Sequence, residues 1–233
     1  MGSKGAGAAL MTLAAAVGCG PSVPVQPPGE PPTPDSVSAQ EPGGDAHDPD
    51  SAALMRQLNE PWGNRTDKDD QLGVPLPDAP QWKRVRYWGV DHFTGFRYGD
   101  DYHAVAVVFV QDVSPDVNAA TSEACMRRFE SWGRRELKNR EVKLGPIRTK
   151  ESSWRSKPLV IHSLDGAFLI GLSRKDFSAA WAAYPAYPHA CLIYGMAVPW
   201  SEHEPLAKRV RDRWIEQGFV GLSPFTPERP YRK

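Results

Sequence analysis

Prolines at 21, 24, 27, 28, 31, 32, 34, 42 and 49 divide this 233-residue chain into two unlike parts. Between Gly20 and Asp50 there is no aromatic residue, and Val23, Val25 and Val37 are the only large aliphatics. Such a stretch cannot bury enough apolar surface to offset the entropy of ordering it, so it reads as a disordered tether. Its charges are all acidic: Glu30, Asp35, Glu41, Asp45, Asp48 and Asp50. Extended as polyproline II at ~3.1 Å per residue it would reach on the order of 90 Å, and as a flexible coil ~30 Å. His47, beside Asp48 and Asp50, reads as part of this solvated segment rather than as a metal site. Any fold must come from about Ser51 onward, where all the tryptophans, tyrosines and phenylalanines lie. About 180 residues suit one domain with its own core. The chain as a whole is neutral. With the early acids set aside the globular part is about five charges positive, which favours an acidic partner without demanding one.

Ahead of the tether, Lys4 is the only charged side chain before Glu30. The apolar run Ala8 to Val17 is about half the roughly twenty residues that cross a bilayer, and it suits the apolar region of a secretory signal. Leu13-Ala14-Ala15-Ala16-Val17-Gly18-Cys19 then resembles the lipobox of bacterial lipoproteins, with Ala16 where leucine is commoner. The resemblance implies cleavage before Cys19, a diacylglycerol on its thiol and acylation of the new amine. Two or more chains anchor stably, at ~0.8 kcal/mol per buried CH₂. Gly20 rather than aspartate follows the cysteine, which by the family's sorting rule implies the outer membrane. The alternatives are an ordinary secretory signal or a leaderless Ala-rich start. The expected organisation is a signal over 1–18, a lipidated tether over 19–50 and one globular domain over 51–233.

Within that domain, Val105-Ala106-Val107-Val108-Phe109-Val110 is continuously apolar and predicts a central strand buried on both faces. Further strands are expected over Trp82–Trp88 and Phe93–Tyr98, with a tight connection at Gly99-Asp100-Asp101. Ala52–Asn59 suggests a short helix ended by Pro61, and Thr66–Pro80 a surface arm. Ser114, Pro115, Asp116 and Asn118 supply helix-start chemistry. Behind them Cys125, Met126, Phe129, Trp132 and Leu137 recur at helical spacing. Arg127, Arg128, Arg134, Arg135, Lys138 and Arg140 read as the solvated side of that helix. Asp165-Gly166 reads as a type I′ hairpin between Leu159–Leu164 and Ala167–Leu172. Phe177–Ala183 suggests a short helix or loop, and Tyr184–Pro188 an irregular excursion. Cys191–Val198 is another buried strand. Ser201 with Glu204 reads as a capping box opening a last helix closed by Gly218.

The order of elements gives an α+β class: an antiparallel sheet of five to seven strands with two long helices packed on it. That order is similar to the PsbP-like sandwich of photosystem accessory proteins and some bacterial lipoproteins, a likeness that implies little about function.

Cys125 and Cys191 are an even pair in a compartment that permits disulfides, and either a bridge or two buried thiols fits. Nucleophile elbows, metalloprotease helices, phosphate loops and dinucleotide fingerprints are absent. His92 after Asp91, and His103 after Asp100 and Asp101, match no metal-ligand spacing. His162 and His189 read as structural. Trp82, Arg84, Arg86, Trp88 and Arg97 form a candidate ligand face if they point outward together, and otherwise core and cross-strand partners. The expectation is a non-catalytic lipoprotein without cofactor or metal, partnered by the membrane through its lipid and by an envelope protein, and not by nucleic acid. A glycan- or peptidoglycan-binding lipoprotein and an envelope hydrolase remain as alternatives.

Overall fold

The computed structural model describes residues 48–66, 72–85, 93–100, 102–112, 121–137, 142–170, 173–187 and 190–224. Cys19 and the tether, the helix-start residues 114–118, and Arg86, Trp88, His92, Pro188 and His189 lie outside the described residues. So do Lys138, Arg140 and the side chains of Trp132, Arg134, Arg135 and Leu137.

In chain order the elements begin with helix α1 (Pro49–Asn59), strands β1 (Trp62–Thr66) and β2 (Leu72–Pro77), and a 3₁₀ turn (Ala79–Gln81). Strands β3 (Trp82–Val85), β4 (Phe93–Tyr98) and β5 (Ala104–Asp112) lead to helix α2 (Ser122–Leu137). Strands β6 (Val142–Leu144), β7 (Arg148–Trp154), β8 (Lys157–Ile170), β9 (Ser173–Tyr187) and β10 (Ala190–Trp200) follow. Helix α3 (Glu204–Arg213) runs on through a π-helical turn (Trp214–Gly218) and a last turn to Gly221, before β11 (Ser223–Pro224).

The architecture is α+β, but with more strands than expected. Eight form one antiparallel sheet in the order β3-β4-β5-β10-β9-β8, with β6 and β7 both on the outer edge of β8. A second sheet joins β1, β2 and β11. Strand β5 is central, as its composition requires, and it alternates between two cores. Val105, Val107 and Phe109 face α2, while Ala104, Ala106 and Val108 face α1, α3 and the small sheet. On the latter side the Trp214 ring meets Trp62, Trp82 and Tyr194 at centroid distances of 5.3, 5.6 and 5.9 Å. Such pairs add ~0.5–1.5 kcal/mol each beyond burial. On the α2 side, Cys125 is bonded to Cys191 of β10, with Cα atoms 5.6 Å apart.

Several local expectations give way to tertiary packing. Asp165-Gly166 is not a turn; β8 runs straight through it. Gly166 is needed for close approach, since a Cβ there would lie 2.7 Å from Phe177 Cζ and 2.9 Å from the Lys143 carbonyl oxygen. Residues 177–187, expected as helix, loop and excursion, are a continuous strand. Its alanines are small because helices approach both faces: Ala180 and Ala182 belong to one core, Ala179 and Ala183 to the other. The supposed arm over Thr66–Pro80 contains β2, whose Val74 and Leu76 are wholly buried. Helix α3 is opened by His203 without a side-chain cap bond, so the Ser201–Glu204 box does not form. Glu204 pairs one turn ahead with Lys208 instead. Gly218 does not end this helix; it lets the Trp62 ring in, 3.0 Å from where a Cβ would stand. Gly99, with φ of 66°, does make the expected turn.

Candidate functional site

Among its described members, Trp82, Arg84 and Arg97, the expected aromatic and basic face does not share one side of the sheet. Trp82 is fully buried, donates through Nε1 to the Pro77 carbonyl at 2.7 Å, and stands edge-on to Tyr98 and Trp214. The register pairs Trp82 with Tyr98 and Arg84 with Phe96 on one sheet face, and Lys83 with Arg97 on the other. Arg84 and Arg97 therefore project to opposite sides. Arg97 is held by the Gly99 carbonyl at 3.1 Å and lies over the Tyr102 ring. An indole at this position gains more from the three-ring core than any solvent-facing role would give it, so Trp82 is corrected to a core residue.

Polar side chains converge elsewhere, where α1 meets α3. A shallow cleft, open to solvent, is lined by Asp50, Leu54, His103, Pro199, Trp200, Ser201 and His203. Asp48 caps α1 by accepting from the Asp50 amide at 3.3 Å, and its other oxygen lies 2.5 Å from His203 Nε2. Asp50 Oδ1 lies 3.0 Å from His103 Nδ1. The hydrogen bond from His203 holds the Asp48 carboxyl below the usual carboxylate range. At about 10 Å³, room for roughly one water, the cleft is far below the ~300 Å³ at which small-molecule sites begin. Ser201 Oγ accepts from Lys175 Nζ at 3.0 Å. Among the described residues no group of three or more His, Cys, Asp or Glu is placed to hold a metal.

A second polar group lies between α2 and the sheet. His162 Nδ1 meets Glu130 Oε1, which also accepts from Trp181 Nε1 at 3.3 Å. The third lies on the α3 face. Asp165 accepts from Arg211 Nη1 at 2.8 Å, from Arg148 at 3.0 Å and from Ser178 Oγ at 2.6 Å, with Lys208 at 3.7 Å. Burial pushes its carboxyl up, but the bonds from Ser178 and Arg148 and the charge of Arg211 outweigh that and hold it low.

Sequence reading missed the Asp48–His203 and Asp50–His103 pairs because Asp48 and His203 are 155 residues apart. One signal was present: Asp48-Pro49 is a cap followed by a proline suited to a helix's first turn. It would have moved Asp48 and Asp50 from the tether to the helix.

No protein-family model matches the chain, and no curated protein matches it. Solved structures are similar at low superposition. Cyanobacterial PsbP from Synechocystis sp. PCC 6803 has a TM-score of 0.42 at 13% identity, covering 70% of this chain and 92% of that one. The Ran-binding protein Mog1p of Saccharomyces cerevisiae gives 0.46 at 9%, covering 71% and 96%. LpqN of Mycobacterium tuberculosis, involved in cell envelope biogenesis, gives 0.35 at 13%, covering 73% and 96%.

Proposed function

We propose that this chain is a lipid-anchored, non-catalytic accessory or assembly subunit of a cell-envelope complex that acts by binding protein. Cys19 carries the lipid, and the acidic proline-rich tether lets the domain stand away from the membrane, by its sorting signal the outer one. The Cys125–Cys191 bridge fits an oxidising compartment. No helix of the described residues is long and apolar enough to cross a membrane.

The observation that carries the reading is the Cys125–Cys191 bridge, which fits a domain that folds and works outside the cytoplasm. His103, His162 and His203 each face a carboxylate of their own chain and tie separate elements together. Two measurements test this. Replacing Cys19 with serine moves the protein from the envelope pellet to the soluble fraction; unchanged pelleting refutes the anchor. Cross-linking in intact cells followed by pull-down recovers a protein neighbour; none above background refutes the accessory role.

A further inference from the structure

Resting on that reading, we propose that the outer edge of β7 takes up an extended segment of a partner protein, one with acidic side chains at alternate positions, as an added strand. Four observations converge on this edge.

The first is backbone register. Arg155 and Ser156 both have positive φ, 49° and 62°, so the β7–β8 hairpin closes through a two-residue turn with Trp154 opposite Lys157. In that hairpin Trp154, Ser152, Lys150 and Arg148 direct their amides and carbonyls toward β8. Thr149, Glu151 and Ser153 direct theirs outward. Among the described residues β7 pairs with β8 alone. Three donors and three acceptors thus form a ladder on the outer edge.

The second is charge. Arg148 lies opposite Ser163, Lys143 opposite Ala167, Lys150 opposite Ile161, and Lys157 opposite Trp154. These registers put Arg148, Lys143, Lys150 and Lys157 on the α3 face, where all four are exposed. Glu151, the acid of β7, lies on the other face. A docked strand alternates its side chains between faces, so its recognisable signature is an acid at every second residue. The third is apolar surface: Leu144 and Ile147, 46% and 42% exposed, flank the step between β6 and β7. Edge recognition uses such pockets for specificity beside main-chain bonds for affinity.

The fourth is what the charge excludes. A second copy pairing edge to edge about Thr149 or Lys150 would bring Arg148 or Lys150 against a like charge, and about Glu151 would set that acid against itself, contacts that are destabilising. An anionic lipid surface would meet the cations but not the outward amides.

The test uses the full mature chain and a seven-residue peptide of alternating glutamate and threonine, followed by fluorescence anisotropy. Two controls are the lysine–threonine peptide and the glutamate peptide N-methylated at alternate amides. The acidic peptide binds, and affinity falls on the order of tenfold or more for Lys143→Glu with Lys150→Glu. It falls likewise for Thr149→Pro, which removes an outward donor and no β7–β8 bond. Both controls fail to bind, and that result needs no protein variant. Equal binding of the N-methylated peptide overturns the proposal. So does a dimer that Thr149→Pro dissolves, or binding to vesicles with 30% phosphatidylglycerol when the peptide does not bind. Peptide binding that appears only once residues 20–47 are removed assigns the edge to the chain's own acidic segment and also overturns it. A cellular cross-link that survives Thr149→Pro removes this site and leaves the accessory role standing; loss of every neighbour in the unaltered protein removes the role itself.

Discussion

Arg211 Nη1 donates to Asp165 Oδ1 at 2.8 Å, joining the last helix to a strand position whose neighbour was expected to turn the chain. The guanidinium is 6% exposed, so its positive charge depends on that carboxylate. Breaking a buried pair by removing one member typically costs ~3–5 kcal/mol. Asp165 is more open than Arg211, and Asp212 lies 2.7 Å from Arg211 Nη2, so Asp165→Asn is expected to cost about 2 kcal/mol in urea unfolding at pH 7. The folded carboxyl lies below its ordinary 3.8. Its contribution is therefore present above about pH 4 and lost as pH falls through the lower folded value. The gap between the parent and Asp165→Asn should narrow as pH falls below the ordinary carboxylate value; a constant gap would show that the charge is not the cause.

The bridge joins Cys125 and Cys191, 66 positions apart in sequence, and both cysteines are fully buried. Constraining such a loop in the unfolded chain is worth about 4 kcal/mol on entropy grounds, and measured values run nearer 2–4. Replacing both cysteines with alanine should lower the thermal midpoint by roughly 6–12 °C. A calorimetric midpoint that does not move would contradict this.

Gly166 and Gly195 separate close approach from ordinary strand glycine. A Cβ on Gly166 meets Phe177 and the Lys143 carbonyl inside 3.0 Å, whereas on Gly195 the nearest atoms stand at 3.6 Å. Gly166→Ala should cost ~1–3 kcal/mol. Gly195→Ala should be nearly neutral or gain a few tenths of a kcal/mol through reduced unfolded-state entropy. Chemical denaturation of the two variants side by side decides it.

Asp48 couples the start of α1 to His203. Its carboxyl sits below the ordinary value through that hydrogen bond, so the attachment holds above about pH 4 and loosens as pH falls through the folded value. Hydrogen-exchange protection over Asp50–Ala53, taken relative to the intrinsic rate at each pH, should fall on acidification and be low at every pH in Asp48→Asn. Equal protection in both proteins at pH 7 would mean that α1 is held by Leu54 and Ala53 packing alone.

Elements whose sequence pattern is also their packing pattern were legible. The run at Val105–Val110, the positive-φ turn at Gly99 and helix α1 depend on nearest neighbours, and the bridge at Cys125 needed only a helix laid over a strand. The stretch at Phe177–Tyr187 was not legible. Its alanines favour a helix locally, and their true cause is two helices pressing on opposite faces of the sheet. Asp165-Gly166 has the composition of a turn, yet Arg211 and the Phe177 ring, both distant in sequence, decide its conformation. Trp82 belonged to a core whose other members, Trp62 and Trp214, come from far upstream and downstream. The histidine pairs were equally closed to sequence reading, since an ion pair leaves no periodicity.

The placement of β10 between β5 and β9 has a consequence for the growing polypeptide. The last long strand to be made completes the middle of the sheet, so a chain emerging amino end first carries β5 with one side bare until the carboxyl-terminal third arrives. Pairings that remote in sequence form slowly. Cys191 sits near the beginning of that late strand, so the correct oxidation cannot precede its delivery. A holding chaperone would find its substrate in that interval, and oxidation would mark its end.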